Sequence, residues 1–505
     1  MLGATLILPI IALVACLIIG ALIPLGGMRF GLLVAALVFG IFLYAYFSRA
    51  EAKARDLWFW VLILIIPLLS VFFSATGTNS MFLIELLLLA SAPLTVSRLP
   101  ALLREEPIWR VFIGLFSTYL CVAVLSSIAG RSMVFAATFQ VATNIKFIFI
   151  LLLGSYITWT VKTERIFLWV VQWFWVVLLP LVILQFVLPS TFQTILPYAA
   201  QSPGNEIFGN TRAVGIFRHP SYLGFYAGLF MLFSAIIARM LNRPTYWLSA
   251  SVYFFLLAAS GERHEMFTGV LLLVVAFGLS GKRLPTVSKL IAVCAMMLLL
   301  AAVITAVFWD YFIMIAEQMS LIGRGPENQP RSVLFADAFR IAGEYFPLGS
   351  GLSTFASAGA AKFDLRIYLE YGYGVFGWFD QNVLHDTYWP QHLAETGVFG
   401  LILMVLAFVV LPLHAASQVF IVTEVKQRCY WMFAFIGLLM VASVSLASPI
   451  IEDPGLSFLP FVLFSVALRR PRGFAAVTDS GLSQTRSQAA LGRTKISAPP
   501  SGVVS

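Results

Sequence analysis

Charge is what this chain of 505 residues lacks: Asp, Glu, Lys and Arg make up 11% of it, against about 25% in an ordinary soluble domain. That excludes a soluble enzyme. Cysteine is sparse too. Cys16, Cys121, Cys294 and Cys429 stand far apart, in or beside apolar runs, without the short spacings that a zinc site or a redox pair requires. Neither a disulfide framework nor a zinc site is expected. The sequence also has no P-loop, no clustered carboxylate pair resembling a metal site and no fixed-period repeat of the solenoid kind.

What the chain has is apolar length. Hydrophobic residues make up 60% of it, and runs of about 18 residues or more, long enough to span a bilayer, recur along it. Helices are expected near 4–24, 30–48, 57–74, 80–97, 108–128, 134–157, 166–188, 222–238, 246–260, 265–280, 288–309, 388–413, 429–448 and 455–468, fourteen in all. The first, Ala4 to Pro24, is too long for a signal-peptide core and lacks a basic leader, so it reads as a retained span. With the N-terminus inside, most Lys and Arg fall in the cytoplasmic connections and most acidic residues on the other side, as the positive-inside rule expects. The net charge of +9 is then a product of topology, not a nucleic-acid footprint. Both termini are expected in the cytoplasm, with a disordered tail after Arg472 that has too little apolar content to fold.

In a membrane protein, polar residues in or beside spans mark the working parts. Polar groups collect on the external side in 189–221, in the turn from Ser260 to Glu265, in the long loop 310–387 and at Glu452-Asp453. His219, His264, His385 and His392 lie at or near external helix ends, and the external arginines include Arg212, Arg218, Arg263, Arg324, Arg331 and Arg340. A guanidinium fork suits bidentate binding of phosphate or carboxylate. The cluster therefore points to an anionic ligand, although each arginine alone is equally well read as an ordinary salt-bridge partner of a nearby acid.

Within the long loop, apolar positions 334, 335, 338, 339, 341 and 342 recur at helical spacing. They predict an amphipathic helix over Arg331 to Ala342, lying over the membrane surface and followed by the breakers Pro347-Leu348-Gly349-Ser350-Gly351. The aromatic stretch Tyr368 to Phe379 suits either platforms for sugar rings or interfacial anchors. Helical spacing would bring His385, His392 and Glu395 near one face, unless Pro390 kinks or starts the helix. His385, at the outer mouth, is read either as a general base or as a solvated capping residue. Lys146, within a span, is expected to snorkel or to pair with a buried acid such as Glu85.

Over roughly residues 210 to 400 these pieces resemble the O-antigen ligase and polymerase superfamily, bacterial membrane proteins that join lipid-linked glycans outside the cytoplasmic membrane. The resemblance rests on Gly215-Ile216-Phe217-Arg218-His219-Pro220-Ser221-Tyr222-Leu223-Gly224, the Ser260 to Arg263 turn, Arg331 with Pro347 to Gly351, and the stretch from His385 to Gly400. The chain departs from the usual pattern at Ser221 and Asp386, and by one extra residue between His385 and Gly397. It divides the chain into N-terminal transmembrane helices (1–209), the ligase/polymerase-like region (210–400), C-terminal transmembrane helices (401–470) and a cytoplasmic tail (471–505).

The resemblance implies an all-α multi-pass protein of the bacterial cytoplasmic membrane, with its site facing the periplasm. It further implies an inverting glycosyltransferase of cell-envelope polysaccharide synthesis, with a glycan on undecaprenyl pyrophosphate as donor and a sugar or lipid-linked glycan as acceptor. No cofactor, metal or nucleic acid is expected, and a chain-length regulator is a possible partner. By that resemblance His385, Arg263, Arg218 and Glu395 are the candidate catalytic residues, His385 as the base with Glu395 or Asp386 orienting or replacing it. Arg212, Arg331, Arg340 and His219 are the candidates for holding the pyrophosphate, with a loop-shaping hydrogen bond as the alternative for His219 and His264. A polymerase of exopolysaccharide or O-antigen repeats is favoured over a ligase acting on lipid A core or protein. A lipid-linked oligosaccharide flippase is the competing reading from another class, and should show charge through the midplane and repeat symmetry.

Overall fold

The computed structural model describes residues 71, 74–75, 82–157, 159–199, 206–207, 210–281, 330–380 and 383–469. The expected spans 4–24, 30–48 and 288–309 lie outside these residues, as do Arg324 and the tail 471–505, and of 57–74 only Val71 and Ser74 are described. In chain order the helices are α1 (Phe82–Glu105), α2 (Pro107–Ala129), α3 (Val134–Tyr156), α4 (Val161–Trp173), α5 (Trp175–Val187), α6 (Pro189–Ile195), α7 (Pro220–Met240), α8 (Thr245–Ser260) and α9 (Arg263–Leu279). They continue as α10 (Pro330–Glu344), α11 (Ala358–Phe363), α12 (Arg366–Glu370), α13 (Trp389–Ile421), α14 (Val425–Val444) and α15 (Pro454–Arg469). Two-residue strands β1 (Glu206–Ile207) and β2 (Asn210–Thr211) form a short antiparallel pair between α6 and α7.

Six stretches among the described residues are long and apolar enough to cross a membrane: Pro107–Ala129, Val134–Tyr156, Val161–Val187, Pro220–Met240, Trp389–Ile421 and Val425–Val444. The chain is an α-helical membrane protein. Of the apolar window of α7, 94% is buried inside the protein, against 28% for α2. α7 is therefore the central helix, and α2 turns most of its surface outward. Local sequence sets the helix ends. Thr160 caps α4 by accepting a hydrogen bond from the Thr163 amide, and Gly261, at φ 64°, takes the left-handed conformation that ends α8.

The long helix α13 is broken at Gly397, whose φ of 66° and ψ of −173° belong to a region essentially restricted to glycine. A break frees carbonyls on the preceding turn, which must find other donors. Here the Ser350 amide donates to the Ala394 carbonyl at 2.9 Å and the Gly351 amide to the Glu395 carbonyl at 3.0 Å. Ser126 on α2 adds a hydroxyl to the Glu395 carbonyl at 2.5 Å. The expected breaker segment thus does more than end α10: it docks into the break of α13. Gly349, at φ 81°, approaches so closely that a Cβ would lie 2.5 Å from the Gly397 nitrogen.

α10 covers the expected Arg331–Ala342 stretch and buries Leu334, Ala338, Ile341 and Ala342, while Phe339 stays 67% exposed. Its buried face packs on the loop's own core, which includes Phe355, Tyr368, Tyr373, Trp378, Leu384 and Leu393. Of the aromatic stretch, Tyr368, Tyr373 and Trp378 are therefore core side chains, offered neither to a ligand nor to the membrane interface. Tyr368 stacks on Phe355 at 5.2 Å, and Tyr373 and Trp378 close the cluster edge-on.

Gly397→Ala is expected to cost about 1–3 kcal/mol from its backbone conformation alone, with a further loss from collision of the new methyl with the Pro347 carbonyl. Thermal melting of the detergent-purified variant checks this; a melting temperature equal to the wild type's would refute the close docking of Pro347–Gly351 on α13.

Candidate functional site

The segment before α7 carries the first part of the site. Gln185 on α5 donates to the Arg212 carbonyl at 2.9 Å and accepts from the Val214 amide at 2.9 Å, while the Ala213 amide bonds the Ala259 carbonyl at 3.0 Å. These bonds fix Arg212 against the turn after α8, where it pairs with Glu262 and donates Nε to the Ser260 carbonyl at 3.2 Å. His219 caps α7: its Nδ1 accepts from the Ser221 amide at 3.2 Å and lies 4.0 Å from Glu262.

Arg218 ties the start of α7 to the turn before α15. It donates to the Tyr222 hydroxyl at 2.8 Å and pairs with Asp453 at 3.5 Å. Tyr222 also hydrogen-bonds Asp453, whose second oxygen accepts from the Gly455 amide at 2.8 Å at the start of α15. Arg331, on the first turn of α10, holds Asp386 through Nε at 2.8 Å and Nη2 at 2.6 Å. Arg212, Arg218 and Arg331 all act on His219 electrostatically, and Arg331 and Asp386 both act on Glu262. Segments far apart in the chain thus converge on one charged cluster.

The local fields follow from this packing. Burial, with the three arginines, lowers the His219 pKa to about 4. Burial pushes Glu262 and Asp386 above the ordinary carboxylate range, against the pull of Arg212 on the first and Arg331 on the second. Burial also lowers His385, with Asp386 pulling the other way. His385 lies in a 3-10 turn over Val383–His385, and among the described residues its buried Nδ1 has no hydrogen-bond partner.

The remaining candidates fall elsewhere. Arg340 pairs with Glu344 at 3.1 Å, lies over the Tyr371 ring at 4.7 Å and is 67% exposed, as a surface salt bridge would be. Arg263 opens α9 beside Glu262. His264 meets the Ser443 carbonyl at 2.8 Å, tying α9 to α14. Glu395 does not turn toward His385: it accepts from the Thr354 and Phe355 amides at 3.0 and 3.3 Å and from the Ser357 hydroxyl at 2.5 Å. His385, His392 and Glu395 share no helix face, because α13 begins only at Trp389, with Pro390 in its first turn.

His392 belongs instead to a second polar centre that sequence reasoning missed. Its Nδ1 lies 3.0 Å from the Tyr119 hydroxyl, which accepts from Asn144 at 2.9 Å. Gln140 and Gln391 donate to Glu452 at 2.9 and 2.6 Å, and Gln140 also donates to Asn144 at 2.9 Å. Lys146 acts electrostatically on Glu452, and the Glu85 side chain lies outside the described part. Gln140 and Asn144, four apart inside an apolar run, were the available signal.

Chemically, the cluster matches an anion held by guanidinium groups beside a neutral imidazole. No group of His, Cys, Asp and Glu able to hold a metal occurs among the described residues. No family model matches the chain, and no curated protein matches it.

The depressed His219 pKa has a stability consequence. Between about pH 6.5 and about pH 4 the unfolded chain binds this proton and the folded chain does not. His219 therefore contributes stability above pH 6.5 that is lost as pH falls through that window, partly screened because the ring is 40% exposed. His219→Asn, which keeps a cap acceptor, should show a shallower fall in melting temperature over that window; a fall identical to the wild type's would contradict the assignment.

Proposed function

We propose that the protein is a membrane-embedded inverting glycosyltransferase that takes a glycan from undecaprenyl pyrophosphate and passes it to an acceptor sugar hydroxyl on the external side of the membrane. The observation that carries this reading is the convergence of Arg212, Arg218 and Arg331 around the mouth of α7, next to His385-Asp386. Preorganised cations at one locus suit a leaving group whose charge grows as its bond to the sugar breaks.

In this reading the acceptor oxygen attacks the anomeric carbon, and its proton passes to His385. The bond from that carbon to the pyrophosphate oxygen breaks, and undecaprenyl pyrophosphate departs with its electron pair. His385 suits the proton-accepting role because burial favours the neutral imidazole over the charged one. Asp386 acts on His385 through its charge while Arg331 holds it. Glu395, bonded to the 354–357 turn, supports the loop instead of orienting the base. Arg212, Arg218 and Arg331 meet the pyrophosphate, and the bacterial cytoplasmic membrane is the setting in which such donors occur. We favour polymerisation of a lipid-linked repeat over ligation to a lipid A core or protein.

The test is turnover of a lipid-linked repeat unit by the reconstituted protein, without nucleotide or divalent metal. A ladder of longer lipid-linked glycans is expected. Transfer to an added lipid A core would instead indicate a ligase. Arg331→Gln should reduce transfer by ~100-fold or more, and His385→Ala by a similar factor. Movement of the lipid across the bilayer with its glycosyl bond intact would overturn the transferase reading.

A further inference from the structure

His219 is both the cap of the central helix and a member of the arginine cluster, and its Nδ1 faces the start of that helix. The backbone N–H of Ser221 can only donate, so the Nδ1 that it meets at 3.2 Å is an acceptor. The Ser221 hydroxyl lies 2.7 Å from the same nitrogen and is free to rotate its proton toward it. Glu262, at 4.0 Å from Nδ1, is beyond hydrogen-bond distance and claims no proton there. The single ring proton of the neutral imidazole is therefore on Nε2.

A second ring proton is disfavoured by the three guanidinium groups that act on the ring, Arg212 before α7, Arg218 beside it and Arg331 on α10. The side chain is 40% exposed, so a ligand can reach it. The imidazole thus extends the positive end of α7 by one ring: the Ser221 amide polarises Nδ1, and Nε2–H becomes a stronger donor.

We propose that His219 donates its Nε2–H, as a neutral imidazole, to a pyrophosphate oxygen of the lipid-linked donor, and that it never acts as the base. This rests on the pyrophosphate reading of the cluster. It separates the two histidines by role: His219, with Nδ1 occupied and its proton on Nε2, binds, while His385 accepts a proton. A neutral donor also holds the same state whether the bound phosphate carries more or less charge, so His219 needs no protonation change during turnover.

Two substitutions separate the ring's two ends. Asn places an oxygen near Nδ1 and keeps the cap but has nothing at Nε2. Gln places an amide N–H near Nε2 and loses the cap. The full-length protein in detergent is titrated with undecaprenyl pyrophosphate, with undecaprenol as the control lacking phosphate.

His219→Asn is expected to melt at the wild-type temperature at neutral pH and to bind undecaprenyl pyrophosphate ~10-fold or more weakly, the loss of one hydrogen bond to a charged group. His219→Gln is expected to melt lower and to keep binding closer to wild type. Asn binding as tightly as wild type would overturn the proposal and leave His219 as a cap alone. Nitrogen NMR of histidine-labelled protein gives an independent reading: a protonated Nδ1 would overturn it as well. If the wild type itself binds undecaprenyl pyrophosphate no better than undecaprenol, the pyrophosphate reading beneath the proposal fails instead.

Discussion

The close backbone approach of Gly349 to Gly397 is the constraint on which the site depends. It joins the loop to a span without any side chain between them. α13 must break so that the Ala394 and Glu395 carbonyls become available, and Pro347–Gly351 must turn inward to supply donors to them. That docking sets α10, just upstream, against α13, and so carries Arg331 to Asp386, which lies eight residues after Trp378 of the loop's core and just before α13 begins. Glu395 completes the arrangement from within the span, because its side chain gathers the 354–357 turn while its carbonyl receives Gly351 and Ser126. Glu395, expected to orient His385, instead braces the loop.

The charges are compensated pair by pair: Arg212 with Glu262, Arg331 with Asp386, Arg218 with Asp453. A buried guanidinium left unpaired would be costly, and removing one member of such a pair strands the other. An entering anion must therefore share these arginines with their carboxylates or displace them. The adjacent acids Glu452 and Asp453 feed different networks. Asp453 holds Arg218 and Tyr222 in the charged cluster, whereas Glu452 receives Gln140 and Gln391 among the spans. One short turn before α15 thus braces both polar centres, which gives the helix packing a direct mechanical link to the arginine cluster.

Much of this was legible in the residues and some was not, for identifiable reasons. Long apolar runs marked α2, α3, α7, α13 and α14, because the length needed to cross a bilayer leaves a signal that no soluble helix imitates. Positions 334, 338, 341 and 342 of α10 were read as one apolar face and are buried together, but what they face was not readable, and the partner is the loop's own aromatic core. Aromatic composition does not distinguish a ring offered to a ligand from one that fills a core, so Tyr368, Tyr373 and Trp378 invited the wrong role. Of the two arrangements open for His385, His392 and Glu395, the structure has the one in which Pro390 starts the helix, so His385 precedes α13 and shares no face with the other two. That arginines would pair with acids was foreseeable from their numbers; which acid each takes is a matter of tertiary geometry alone.

The central claim is that the arginines around the mouth of α7 meet a pyrophosphate. Its most direct test is a structure of the protein in lipid nanodiscs with undecaprenyl pyrophosphate bound. The account predicts phosphate density within hydrogen-bond distance of Arg212, Arg218 or Arg331, with at least one of their carboxylate pairs opened or shared. Phosphate density away from this cluster, with the Arg212–Glu262, Arg218–Asp453 and Arg331–Asp386 pairs undisturbed, would contradict it.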